Sequence, residues 1–233
     1  MSKFTSYNKN GRAEMKFGIT YVDYQVLRQK LKCIMRLDPY AKANGRYHIR
    51  SCYFDNLENK VMNEKKEGFI NRDKYRVRIY NKCTDVIHLE KKSKRNNQTF
   101  KKKCSITKQE FERLRCNDVE WMEQDERDLI KELYKDIKLY LIKPVAVVDY
   151  EREAYQYEYG NVRITFDCKV QTSIRNTDMF NKKLPMVDVL EPNEVILEVK
   201  YDNYLPANIR LLLQGIHTRQ EAYSKYQLSR MYV

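Results

Sequence analysis

The sequence predicts an α+β fold in which about eight antiparallel strands form a β-barrel tunnel with a charged interior and helices packed outside. Three observations lead there. Several stretches alternate apolar and polar residues with the period of two that marks a strand. The polar sides of those strands carry mostly Lys and Arg, with few Ser, Thr or Gln. None of the six glycines (Gly11, Gly18, Gly45, Gly68, Gly160 and Gly215) builds a G-x-x-x-x-G-K-[ST] or G-x-G-x-x-G loop. That removes the common nucleotide folds, so any bound nucleotide must be held by side chains.

In chain order, a strand is expected over residues 12–18. A helix follows over 22–36, where Tyr24, Leu27, Leu31, Ile34 and Met35 recur at helical spacing, and Asp23 reads as its cap rather than as a metal ligand. Strands are expected at 46–54, 74–80, 86–94 and 99–106. Over 74–80, Tyr75, Val77 and Ile79 take one face, and Lys74, Arg76 and Arg78 take the other. Thr107 and Glu110 form a T-x-x-E capping box ahead of Phe111 and Leu114. Leu129, Leu133 and Ile137 predict a helix over 124–140 that stops before Pro144. Strands return at 145–155, 162–170 and 195–201. A helix starts near Pro206, a favoured first-turn residue, and the stretch from Thr218 onward reads as a second, basic helix.

No linker, repeat or low-complexity stretch divides the chain, so residues 1–233 are expected to form one domain. Forty-five Lys and Arg against 32 Asp and Glu give a net charge of +13, which predicts an anionic partner without choosing one. The six cysteines and three histidines lack disulfide or zinc spacing and read as reduced thiols and scattered imidazoles. The N-terminus has no apolar signal core, and no apolar run approaches the roughly 20 residues a membrane span needs. A cytoplasmic protein without a membrane segment of its own is expected.

Glu-x-Lys occurs on three strands, as Glu14–Lys16, Glu90–Lys92 and Glu198–Lys200. Residues i and i+2 of a strand point the same way, so each motif aims a carboxylate and an ammonium at one surface. Arg76 with Arg78 aims two guanidiniums, and Lys101 with Lys103 two ammoniums. On one strand this is ordinary solvation of a wet face. Repeated over about seven strands it concentrates like charges, which costs several tenths of a kcal/mol per opposed pair. Bound phosphate offsets that cost, since a charge-assisted hydrogen bond contributes roughly 1.5–3 kcal/mol. Glutamates among phosphates can hold Mg²⁺ or Mn²⁺.

These residues resemble the triphosphate tunnel metalloenzymes (the CYTH superfamily), and within them the VTC domain, a polyphosphate polymerase catalytic domain. The resemblance covers about residues 12–230. Its branch-specific marks are Tyr150-Glu-Arg152-Glu-Ala-Tyr, Arg163-Ile-Thr-Phe-Asp167 and Ser224-Lys225-Tyr226. It implies that Lys16, Arg76, Arg78, Lys92, Lys103, Arg152, Arg163 and Lys225 bind triphosphate or product, with Tyr150 and Ser224 donating hydrogen bonds to phosphate. Glu198 would hold the metal, with Glu14 and Glu90 as further candidates. Lys200 shares the face of Glu198 and joins the substrate-binding set. Lys92 is preferred to Lys91 because it alone shares a face with Glu90. The run from Lys101 to Lys103 leaves open which of those two points inward.

The implied activity is phosphotransfer from ATP to polyphosphate, dependent on Mn²⁺ or Mg²⁺. Two other readings use the same residues: a triphosphatase with water as acceptor, and a non-catalytic binder of polyphosphate or nucleic acid. Nucleic acid is the poorer fit, because few aromatics interleave with the basic residues on one face. Eukaryotic members carry an added regulatory domain and membrane spans that this sequence lacks. Its product would therefore enter the cytosol or pass to a separate membrane-protein partner.

Overall fold

The computed structural model describes residues 12–96, 98–173, 175–214, 219–220 and 224–230. In chain order the strands are β1 (Ala13–Thr20), β2 (Arg36–Leu37), β3 (Tyr47–Asp55), β4 (Arg72–Tyr80), β5 (Ile87–Arg95) and β6 (Gln98–Ile106). They continue as β7 (Lys143–Tyr157), β8 (Val162–Thr172), β9 (Val187–Asp188), β10 (Glu194–Tyr201) and β11 (Arg219–Gln220). The helices are α1 (Tyr21–Lys32), α2 (Lys60–Lys66), α3 (Lys108–Arg115), α4 (Asp128–Tyr140), α5 (Ala207–Gln214) and α6 (Lys225–Arg230). Eight of the strands are long; β2, β9 and β11 have two residues each.

The chain gathers into two compact units. The first is Met1–His48, Tyr150–Val170 and Leu190–Ser224; the second is Ile49–Asp149, Gln171–Val189 and Lys225–Val233. Strands β3, β7 and β8 contribute residues to both.

In the first unit the strands run in the order β11-β1-β10-β8, all antiparallel. Alternation puts Met15, Phe17, Ile19, Ile164, Phe166, Leu197 and Val199 on one face, all buried. Helix α1 covers that face with Tyr24, Leu27 and Leu31, and α5 with Ile209 and Leu213. Each such large side chain contributes roughly 1.5–3 kcal/mol on burial. The Tyr24 and Phe166 rings meet edge to face at 4.9 Å. Gly160 closes the turn before β8 at a φ of +71°, where an added Cβ would lie 2.6 Å from the Tyr204 carbonyl oxygen.

In the second unit the order is β3-β4-β5-β6, again antiparallel. Phe54, Tyr75, Val77, Ile79, Ile87 and Leu89 form the strand side of its core. Helices α3 (Phe111, Leu114) and α4 (Leu129, Ile130, Leu133, Ile137) pack on them. The Thr107 capping box is formed in both directions.

The α+β class, the eight long antiparallel strands and the helices packed on their apolar faces are as expected, and the strand pairing ends at β11 in the first unit and at β6 in the second. Some finer expectations are corrected. Helix α1 stops at Lys32 rather than near 36. Its cap is Thr20, whose side chain accepts from the Asp23 amide, while Asp23 sits in the first turn. Helix α4 begins at Asp128, because Asp125 and Glu110 hold Arg127 just ahead of it. The basic C-terminal helix expected from Thr218 is instead the short strand β11 followed by α6. Alternation and helical spacing gave no sign of α2, β2 or β9. Expectations for residues 1–11, Gly215, His217, Thr218 and 231–233 lie outside the described residues.

Candidate functional site

Each unit turns a charged face away from its helices, and the two faces are built differently. In the first unit the antiparallel register decides the pairing. Lys16 stands opposite Glu198, and Glu14 opposite Lys200. Two Glu-x-Lys motifs laid antiparallel thus oppose unlike charges, which stabilises the pair of strands. Lys16 Nζ lies 3.0 Å from Glu14 and 3.7 Å from Glu198. Lys200 Nζ lies 3.2 Å from Glu198 and 3.9 Å from Glu14.

Strand β8 extends the face, with Thr165 opposite Glu198 and Arg163 opposite Lys200. Arg163 donates to Asp38 at 2.5 Å and to the Tyr47 hydroxyl at 3.2 Å. Arg152, from β7, grips Asp167 with two hydrogen bonds of 2.6 and 2.7 Å and reaches Glu198 at 3.7 Å. The Tyr150 ring lies beneath that guanidinium, 5.3 Å from centroid to carbon, and is itself buried.

The electrostatics follow from this packing. Burial would raise the Glu198 carboxyl, but Lys16, Lys200 and Arg152 outweigh it and hold it well below the usual carboxylate range. Burial would lower the Lys16 ammonium, yet Glu198 and Glu14 keep it above its ordinary value. At Lys200 burial wins: Glu198 and Glu14 raise the ammonium, Arg152 opposes them, and the group stays below its ordinary value.

In the second unit the face is strongly cationic. Across β3, β4, β5 and β6 one row runs Tyr53, Arg76, Glu90 and Lys103. The next row runs Lys74, Lys92 and Lys101, three ammonium-bearing residues directly opposite one another. A third runs Ser51, Arg78, His88 and Ser105. Arg76 Nε donates to Glu90 at 2.6 Å, Lys101 Nζ to the other carboxylate oxygen at 2.5 Å, and Arg78 lies 3.9 Å away. Arg78 also donates to the Ser51 hydroxyl at 3.0 Å.

Burial would raise the Glu90 carboxyl, but Arg76, Arg78 and Lys101 bring it down to about 2. The other carboxylate on this side, Asp55 at the end of β3, accepts from the Asn56, Val61 and Met62 amides and from the Tyr226 hydroxyl.

The Tyr53 phenol reports the field. Burial pushes it up, yet Arg76, Arg78 and Lys225 together hold it below the ordinary phenol value. Lys225 opens α6, and Ser224 precedes it, half-buried at the last residue of the first unit.

Of the residues singled out in the sequence, Glu14, Lys16, Tyr150, Arg152, Arg163, Glu198 and Lys200 gather in the first unit. Arg76, Arg78, Glu90, Lys92, Lys101, Lys103 and Lys225 belong to the second. Lys101 and Lys103 share the Glu90 face, so the register admits both. Lys91 lies on the opposite face, where Glu132, Asp73 and Asp136 surround it at 3.1, 3.2 and 3.8 Å.

Sequence reasoning missed Asp38, Tyr47, Tyr53 and Asp167 as partners. Asp38 lies outside the strands and Tyr47 is the first residue of β3, whereas Tyr53 and Asp167 lie within β3 and β8, where alternation gives a face but not the partner met across it. Lys74 was legible as a face-mate of Arg76 but not as a member of a lysine row.

For a divalent metal, Glu14 and Glu198 are the fitting pair, since both carboxylates border the same two ammoniums. No group of three or more His, Cys, Asp or Glu able to hold a metal occurs among the described residues. Phosphate oxygens would have to complete the shell, which is the usual habit of Mg²⁺. Glu90 fits less well, because Arg76 and Lys101 already occupy its two oxygens.

The fold and these faces define an α+β protein of antiparallel strands whose polar faces carry arginine, lysine and glutamate. The VTC domain family model matches residues 11–233, and the chain belongs to that family, as the motifs led one to expect. No curated protein matches the chain. Among solved structures, a Vibrio parahaemolyticus protein described as a candidate adenylate cyclase is 11% identical, covering 94% of this chain and 98% of its own, with a TM-score of 0.48. A Pyrococcus horikoshii OT3 protein is 13% identical, covering 95% and 100%, with a TM-score of 0.47. A Bacillus halodurans candidate adenylate cyclase is 12% identical, covering 82% of each chain, with a TM-score of 0.45. No helix among the described residues is long and apolar enough to cross a membrane.

Proposed function

We propose that this chain is an ATP-dependent polyphosphate polymerase, working as a single functional domain. A terminal oxygen of the growing chain attacks the γ-phosphorus of ATP. The bond from that phosphorus to the β,γ-bridging oxygen breaks, and ADP leaves. The observation that supports this reading is the cationic face of the second unit, where Arg76, Arg78, Lys92, Lys101 and Lys103 stand around one carboxylate, Glu90. Membership of the VTC family supports enzymatic phosphate chemistry.

Phosphoryl transfer asks the protein for position and charge neutralisation more than for covalent help. Arg76 and Arg78 offer fixed, planar donors suited to phosphate oxygens. Lys92, Lys101, Lys103 and Lys225 add positive charge along a chain. In the first unit Arg152, Arg163, Lys16 and Lys200 offer further cations, and Tyr150 and Ser224 supply hydroxyls. Glu14 and Glu198 would hold Mg²⁺ or Mn²⁺, which when bound neutralises phosphate oxygens.

The test is incubation of the purified protein with ATP and Mn²⁺, followed by phosphorus NMR and a gel stained for polyphosphate. ADP with a ladder of long chains is the expected result. ADP with orthophosphate alone would replace the polymerase by a triphosphatase. Intact ATP across several metals and primers would leave a polyanion-binding module.

A further inference from the structure

Lys74 belongs to none of the motifs above, yet it occupies a distinctive position. Its Nζ lies 4.5 Å from the centroid of the Tyr53 ring and 4.6 Å from that of Tyr226. Those two rings are 5.4 Å apart. Tyr226 is fully buried and anchored through its hydroxyl to Asp55. The ammonium is therefore held on a built support, which lowers the entropy lost when it engages a ligand.

The register gives the second observation. Lys74 stands opposite Lys92, and Lys92 opposite Lys101. Neighbouring strands lie about 4.8 Å apart, and like charges directly opposite one another destabilise a sheet. This row runs parallel to the one containing Arg76 and Lys103, displaced two residues, or about 7 Å, along the strands. A single tetrahedral phosphate cannot span two lines so separated, whereas a linear chain of phosphates can contact both.

We infer that Lys74 is a further anion-binding residue, and that the row Lys74–Lys92–Lys101 is a second contact line selecting a linear polyphosphate chain over an isolated phosphate. This rests on the polyphosphate reading of the same face. Lys74 acts as a specificity-determining residue, contributing through its charge and its fixed position between the rings.

The test is calorimetric binding of sodium tripolyphosphate and of orthophosphate to the wild type, K74Q, K74M and K74R over a series of salt concentrations. K74M keeps an unbranched, polarisable side chain between the rings, so it separates loss of charge from loss of packing. In K74Q and K74M, tripolyphosphate affinity should fall about tenfold, the equivalent of one lost charge-assisted contact. The salt slope should drop by about one. Orthophosphate affinity should change less than twofold, and K74R should restore tripolyphosphate binding.

Unchanged tripolyphosphate affinity in K74M, with the wild type binding well, would overturn the inference and leave the proposed function standing. An equal loss for orthophosphate and tripolyphosphate would overturn the chain-length role. A wild type that binds no tripolyphosphate would overturn this inference and the proposed function together.

Discussion

The two units solve the same electrostatic problem in opposite ways. In the first, antiparallel Glu-x-Lys strands oppose each ammonium to a carboxylate, and Arg152 and Arg163 each close on an aspartate. Its charged face stabilises itself. In the second, one row across β4, β5 and β6 opposes lysine to lysine, beside a row in which Arg76 and Lys103 flank Glu90. Like charges directly opposite are costly in a sheet, and under the proposed function a bound anion offsets that cost. The difference teaches how to compare charged faces: where carboxylates match the cations, the face is held by its own pairs, and where cations outnumber a buried carboxylate, as around Glu90, the proposed function assigns the excess charge to phosphate.

The sharpest way to break the comparison is to remove one cation from each face. Arg152→Ala leaves Asp167, which is fully buried, without its bidentate partner. The expected loss is about 3–5 kcal/mol of stability, read by urea denaturation. A loss below about 1 kcal/mol would mean that the first face is not held by its internal pairs.

Arg76→Ala, on the second face, should instead lower ATP turnover by about 10²–10³. Turnover unchanged in that variant would remove the second face from the chemistry.

Glu90 supplies a pH test with a definite sign. Its carboxyl is depressed from an ordinary 4.5 to about 2. The stability it contributes is therefore present above about pH 4.5 and lost as pH falls toward about 2. Melting followed from pH 6 to pH 2 should decline over that window. Glu90→Gln should flatten the decline, at a cost on the order of 3 kcal/mol at neutral pH. A variant that keeps the wild-type acid profile would show that Arg76 and Lys101 do not carry this carboxylate.

The smallest effect sharpens the comparison most. Lys103 stands opposite Glu90, whose two oxygens already accept from Arg76 and Lys101, so Lys103→Gln should leave stability within about 0.5 kcal/mol of the wild type. Tripolyphosphate affinity should drop about tenfold. A clear loss of stability with unchanged binding would reverse the roles assigned to the two faces.

Much of this was legible in the chain. Alternation over 74–80, 162–170 and 195–201 fixes which side chains share a face, because the pleat has a period of two whatever surrounds it. The residue pairs of the capping box and the Glu-x-Lys motifs are local in the same sense. The short elements β2, β9 and β11 were not legible, since two residues carry no period. Nor was the end of α1, where the chain turns at Cys33 and Met35 is buried without continuing the helix.

By itself, then, the sequence determined the eight long strands, the cationic faces and the family, since each depends on neighbours one to four residues apart. The tertiary structure decided what each charge meets. Glu14 faces Lys200 because β1 runs antiparallel to β10, and Lys74 faces Lys92 because of the β4–β5 register. Asp38 reaches Arg163, and Tyr226 reaches Lys74, across more than a hundred residues of chain. Those meetings come from folding over long separations, and the free energy that fixes them is the burial of two apolar cores rather than any property of the charged residues.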